Sequence, residues 1–417
     1  MTKRNVLAVI IGNAMEWYDF IIYASMATII ASVFFPKEDT FSALLATFGI
    51  FAIAYLARPL GGFLIGHIGD KHGRRMALIV SVFLMAIPSV SIGLIPSYQT
   101  IGRWAPALLI ILRIMQGFAV GGEYPASMIY LVETAPATRR GFIGSFAMAG
   151  IIVGIMLGTS VTLLVNYLLT PTQLYAWGWR IPFLLGVFLI GIGFYLRLRL
   201  QDTSTYLALK QQNKLANQPL LEALKQHKTD IIKTVLLLVF NSVAFYSITI
   251  FLVTYLTKQA RLPFNLTDAL SISLISSGAL FFFILLSGLL SDFINRLRVL
   301  QIATVAAIVL SYPLYWMFNQ GNYLTALLAQ LIFVAILALY IGPLPATLAR
   351  QFNSQLRVSS VAISYNVALA LFGGSAPTIA LLLIHYFHSN MAPSYYLIIS
   401  AIISLLTLLT MRSSRAH

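Results

Sequence analysis

The sequence predicts an all-α membrane protein: twelve transmembrane helices in two pseudo-symmetric six-helix bundles. Three observations carry that expectation. The 417 residues are 59% hydrophobic and only 9% charged, with a mean hydropathy of +0.86, whereas soluble domains carry about a quarter charged residues. The apolar residues gather into runs long enough to cross the hydrocarbon, which takes roughly 20 residues of helix. The chain also repeats itself. A glycine-rich charged turn, Gly61 to Arg75, recurs as Gly288 to Arg296, and both Gly66 to Gly288 and Asp70 to Asp292 are 222 positions apart.

In chain order the runs lie near 6–35, 41–67, 76–97, 104–132, 141–168, 181–200, 231–257, 264–291, 299–318, 322–348, 358–387 and 391–411. In lipid the backbone must satisfy its own hydrogen bonds, so only helices or a closed barrel can span, and runs this long exclude barrel strands. Residues 1–200 form the first bundle, 201–230 a cytoplasmic linker and 231–417 the second bundle. The linker reads either as short amphipathic helices, with Leu207, Leu215, Leu220, Leu221 and Leu224 among Lys and Gln, or as a solvated segment. Twenty Lys and Arg fall in loops on one side and five on the other, which places both termini of a multi-pass protein in the cytoplasm. Arg58 and Arg113 lie inside spans.

The net charge of +15 does not point to nucleic acid, because the basic residues sit in short loops between apolar runs. Cysteine is absent, which excludes disulfides and thiolate metal sites, and the six histidines show no metal-ligand spacing. No metal, cofactor or enzymatic constellation is expected. Lys3 and Arg4 lead into an apolar run too long for a signal-peptide core, so no cleavable signal is expected.

Charges inside the spans single out candidate sites, since an intramembrane carboxylate costs several kcal/mol unless it is paired, hydrated or neutralised. The first run carries Glu16 and Asp19, three residues apart and sharing a face with Asn13 and Tyr23. A carboxyl in a dry cavity can hold a proton near neutral pH. Asp19 is the first candidate for that role and Glu16 the second. The alternative is that one of them pairs with an arginine of a neighbouring helix. The fourth run places Arg113, Gln116 and Glu123 at helical spacing. Arg58 and Glu123 lie at similar depth and form a candidate intramembrane pair, which would also serve a purely structural role. Arg113, further out and nearer Asp19, is the candidate to hold a carboxylate through its planar fork. Gln116 and Tyr23 join it. The second half offers Asn241, Tyr246, Tyr365 and Asn366 as candidates for the far wall of a cavity. Gly150, Gly154 and Gly158, at four-residue steps, read as a close-packing seam.

Several stretches together resemble the metabolite:proton symporter branch of the major facilitator superfamily. They are Gly12-Asn13 with Glu16-Trp17-Tyr18-Asp19-Phe20, Arg58-Pro59, the 66–75 loop, Arg113 with Gln116-Gly117 and Gly121-Gly122-Glu123, Glu133 with Arg139-Arg140-Gly141, Trp179-Arg180-Ile181-Pro182-Phe183, and Tyr365-Asn366 with Gly373-Gly374 and Pro377. The resemblance implies alternating access between two bundles in a bacterial inner membrane, by a monomer in contact with lipid, a small-molecule substrate and protons. It implies uptake of an organic anion or a zwitterion such as proline or betaine; proton-coupled export of a drug or metabolite is the alternative. It further implies a cytoplasmic gate of Asp70, Arg74, Glu133, Arg140, Asp292 and Arg357. The chain departs from the pattern at Arg350, where an acid is usual, and at Asn295-Arg296 after Asp292. It ends at His417 without the coiled-coil extension of osmosensing betaine carriers, so osmotic activation is not expected.

Overall fold

A computed structural model describes residues 3–36, 40–72, 84–85, 87–121, 123–198, 219–352 and 356–411. Among these residues the secondary structure is helical throughout, with no strand. Among the described residues eight helices are long and apolar enough to span a membrane, or nine when the bent first pair counts as one span.

The spans are α1 (Lys3–Ser25, continued at a 64° bend by Ala27–Phe34), α2 (Thr40–His72), α3 (within 84–94), α4 (Trp104–Val120, then Glu123–Thr134), α5 (Arg140–Leu168) and α6 (Arg180–Leu198). After a linker helix, Pro219–Gln226, come α7 (Lys228 to Gln259), α8 (Leu266–Phe293), α9 (Arg296–Phe318), α10 (Tyr323–Ile341, then Leu344–Gln351), α11 (Arg357 to Phe387) and α12 (Ala392–Thr410). The first part of the third predicted span (76–83, with 86) and most of the polar linker lie outside the described residues.

Packing reproduces the repeat read from the sequence. In the first bundle α1 packs on α5 and α6, and α2 on α4; in the second, α7 packs on α11 and α12, and α8 on α10. Adding six to each helix number converts one set into the other. The bundles meet along α5 with α8 and along α2 with α11, again a pair related by the same operation. The glycine seam of α5 faces α1, where a Cβ on Gly154 would stand 2.2 Å from the Ala14 carbonyl oxygen. Without a hydrophobic force between helices in lipid, such backbone approach supplies the dispersion contacts that hold them.

Three single-turn π-helical segments interrupt the second bundle: Tyr246–Ile250 and Tyr255–Gln259 in α7, and Leu369–Gly373 in α11. Such turns frequently occur at functional sites. Two of them touch, since a Cβ on Gly373 would stand 2.7 Å from the Tyr246 ring.

Candidate functional site

The buried polar groups of the first bundle assemble into two neighbouring clusters. The first is built on α1, α3 and α4. The Asp19 carboxylate, 4% exposed, accepts from Ser89 Oγ at 2.5 Å and from Gln116 Nε2. Gln116 Nε2 also reaches Ser89 Oγ at 2.9 Å, and its Oε1 accepts from Arg113 Nη1 at 2.8 Å. Gln116 thus links the acid to the guanidinium. Helical spacing makes this possible, because Arg113 and Gln116 are one turn apart on the same face of α4.

Arg113 is completely buried, with its Cζ 4.2 Å from the Tyr23 ring centroid, 4.8 Å from Phe20 and 5.5 Å from Phe51. The rings desolvate the cation while their faces attract it. Tyr23 is held by its hydroxyl, which donates to the Thr47 carbonyl at 2.9 Å. Arg113 Nε and Nη2 have no hydrogen-bond acceptor. A buried cation with two open donors, fixed beside a buried carboxylate, is poised to accept an anionic group in planar, two-point geometry.

The second cluster centres on Arg58. Its Nη2 lies 3.5 Å from Glu16 Oε1, and both side chains are buried. The pair therefore joins α1 to α2; the side chain of Glu123, the other acid within reach by depth, lies outside the described residues. Arg58 sits over the Tyr55 ring at 5.2 Å, and its charge acts on Tyr246 and Tyr365 of the other bundle. Tyr246 packs edge-on against Tyr55 at 5.1 Å and against Trp17 at 6.0 Å, while Tyr365 packs against Tyr124 at 4.9 Å. Asn366 Nδ2 donates to the Gly121 carbonyl at 2.5 Å, at the C-cap of the α4 segment Trp104–Val120. Asn241 is buried on α7 with no donor to its Oδ1.

Asp19, Gln116, Arg113 and Tyr23 are thus brought together, as are Glu16 and Arg58 with Tyr246 and Tyr365 close by. Sequence reading missed Ser89, Tyr55, Tyr124 and Trp17. Tyr55 carried a signal, being one turn before Arg58. A lone serine in an apolar run such as Ser89 carried none.

Contacts cross the bundle interface at both of its ends. At the end rich in Lys and Arg, Arg357 Nη1 of α11 meets Glu133 Oε1 of α4 at 2.5 Å. The Asp292 carboxylate of α8 accepts the backbone N–H groups of Gly141 at 2.7 Å and Phe142 at 2.9 Å, and Arg296 Nη2 at 3.0 Å. A carboxylate of one bundle thereby caps the N-terminus of α5 in the other, where the helix dipole favours negative charge. Only glycine fits at position 141, since a Cβ there would stand 2.2 Å from Ser291 Oγ. Arg140 makes no ion pair among the described residues; Arg74 and the side chain of Asp70 lie outside them. At the opposite end Phe41 stacks on His385 at 4.3 Å, and Asn166 Nδ2 donates to Thr267 Oγ1 at 2.9 Å.

Comparison with known proteins bears on this arrangement. The profile of the family described as sugar (and other) transporter matches residues 5–412. The proline/betaine transporter of Escherichia coli K12 is 34% identical over 99% of this chain and 84% of its own length. The glycine betaine/proline/ectoine/pipecolic acid transporter of Dickeya dadantii is also 34% identical, over 99% of this chain and 83% of its own. Among solved structures, the xylose transporter XylE from E. coli, in a partially occluded inward-open conformation, superposes with a TM-score of 0.78 at 20% identity. That likeness of fold covers 99% of this chain and 98% of the other.

Proposed function

The chain belongs to the sugar (and other) transporter family of the major facilitator superfamily, and on that premise we propose that it takes up a small carboxylate-bearing metabolite together with a proton. It is a multi-pass membrane transporter, not an enzyme. The substrate is a zwitterion of the proline or betaine type, the chemistry carried by its relatives, with organic anions as the neighbouring class.

One observation carries the reading: the chain of contacts from Asp19 through Gln116 to Arg113, buried within the first bundle, with two donors of Arg113 open. Arg113 receives the substrate carboxylate. Asp19 carries the coupled proton, because a buried carboxylate that loses its neutralising partner to substrate is stabilised by protonation. The Glu16–Arg58 pair and the tyrosines around it form the wall beside this site. The end rich in Lys and Arg faces the cytoplasm of a bacterial cell, with both termini on that side. The two bundles are 1–200 and 231–417, joined by the linker 201–230, and the protein works as a monomer. Contacts across the interface at both ends support a closed intermediate of the kind that alternating access requires between its outward-open and inward-open states.

The test uses proteoliposomes with an imposed pH gradient and labelled proline or glycine betaine. Wild-type protein is expected to accumulate substrate against its gradient. Asp19→Asn, which keeps the shape of the protonated acid, is expected to lose accumulation while retaining substrate exchange. Accumulation by Asp19→Asn at the wild-type rate and pH dependence would refute the assignment. Glu16→Gln is the control, and its loss with retention in Asp19→Asn would move the proton by one turn.

A further inference from the structure

Ser89 stands against Asp19 with two hydrogen-bond acceptors in reach and one proton to give. Its Oγ lies 2.5 Å from Asp19 Oδ2 and 2.8 Å from the carbonyl oxygen of Met85, one turn back on α3. A hydroxyl carries one O–H donor and two acceptor lone pairs, so it donates to only one of these oxygens at a time. Gln116 Nε2 fills one lone pair from 2.9 Å, which leaves the other open. Ser89 is completely buried and Asp19 nearly so, and in such a place an unmade hydrogen bond is expensive.

A carboxyl that gains a proton turns from pure acceptor into donor. With Gln116 Nε2 and Ser89 both donating to Oδ2, a proton on that oxygen would face donors only. The other neighbours offer no relief. Gln116 Oε1 is taken by Arg113 Nη1 at 2.8 Å, and Arg113 of α4 is the cation whose charge acts on Asp19. On α1 itself Glu16 pairs with Arg58 of α2, Tyr18 donates to the Pro182 carbonyl of α6, and Tyr23 donates to the Thr47 carbonyl of α2. The described residues of α3 include no titratable side chain.

We propose that Ser89 is a positioning residue for the coupled proton: its hydroxyl turns between Asp19 and the Met85 carbonyl, so that the carboxyl is satisfied both charged and protonated. The inference rests on Asp19 being the proton carrier. While Asp19 is charged, the serine O–H donates to Oδ2. When a proton arrives, a new O–H bond forms on Oδ2 and donates to the open lone pair of Ser89 Oγ. The serine O–H then rotates about the Cβ–Oγ bond to Met85. Release reverses both movements. No heavy atom has to move and no hydrogen bond is lost, so the buried acid can both load and unload.

Removing the hydroxyl takes one bond from each form of Asp19. A bond to a charged carboxylate is about twice as strong as a neutral one, so on balance the protonated form gains. The test follows the C=O stretch of a protonated carboxyl in the full chain, in proteoliposomes, by infrared difference spectroscopy across pH. The band of Asp19 is the one missing from Asp19→Asn. In Ser89→Ala its midpoint is expected to move to higher pH by about one unit, tenfold in proton affinity. Its frequency should rise as well, because the acid O–H has lost its acceptor. Ser89→Thr, which keeps the hydroxyl, should titrate like the parent. Substrate exchange at acid pH, where every variant is protonated, measures how much protein is folded. A parental midpoint in Ser89→Ala overturns the proposal. A shifted midpoint at the parental frequency also overturns it, since Ser89 would then serve the charged form alone. If Asp19→Asn loses no band and accumulates substrate as the parent does, the assignment of Asp19 itself has failed, and this inference with it.

Discussion

Asp292→Asn isolates the helix cap that closes the inner end. The carboxylate side chain is 3% exposed and receives the Gly141 and Phe142 N–H groups at 2.7 and 2.9 Å, with Arg296 Nη2 at 3.0 Å. Hydrogen bonds to a charged group contribute about 1.5–3 kcal/mol each, net of competition with water. Two of them join the bundles, so the cap contributes about 3–6 kcal/mol to closure, while the Arg296 contact stays within its own bundle and cancels. Asparagine retains one amide oxygen and hence one neutral bond, worth about 1 kcal/mol. The expected loss is therefore about 2–5 kcal/mol, or roughly 30-fold to a few thousand-fold in the closed-to-open ratio. Spin labels at Thr138 and Val358 in the cysteine-free chain measure that ratio directly. Arg296→Gln, which leaves both backbone donors in place, should shift it much less. An unchanged distance distribution in Asp292→Asn would show that the cap does not hold the gate. So would an equal shift in Arg296→Gln.

Three further outcomes follow from the same geometry. Arg113→Lys should lose most transport, by about tenfold or more in uptake rate, because a point-charge ammonium cannot offer the planar fork; retention of the parent affinity in a substrate titration would make Arg113 structural. Glu133→Arg and Arg357→Glu should each open the inner end, and the double reversal should restore closure. This pair is 22% and 33% exposed, so its interaction is discounted for solvent to about 1 kcal/mol, roughly fivefold in the spin-label ratio, and failure of the swap would deny a direct pairing. Gly154→Ala should lower the melting temperature and the yield of folded protein, since its Cβ would stand 2.2 Å from a backbone oxygen of α1 and overpacking costs about 1–3 kcal/mol; a wild-type melting curve would mean that α1 and α5 can separate without penalty.

Membership in the family rests on features that are local in the chain. The twelve apolar runs, the glycine-rich turn with its copy 222 residues later, and the few charges inside the spans all lie in the order of residues. Lipid makes this order unusually informative, because a run of sufficient length has only the helix available to it. The site was legible to the same extent. Asp19, Glu16, Arg58 and Arg113 stand out because charge in hydrocarbon demands a reason. Residues that are unremarkable in an apolar span did not stand out: Ser89, which donates to Asp19, and Tyr55, which lies under Arg58.

What the sequence by itself determined is therefore the kind of protein, its repeat, and which buried charges need partners. Which partner each one takes was decided by tertiary structure. Depth along a helix left Arg58 within reach of more than one acid, and only the rotation and tilt of α1 against α2 bring Glu16 to it. The role of Asp292 was hidden for the same reason. Its repeat partner Asp70 suggested a gate, but the cap it places on Gly141 and Phe142 exists only once α8 docks against the start of α5. Helix formation in lipid is settled within each segment, whereas pairing between segments depends on angles that no single segment encodes.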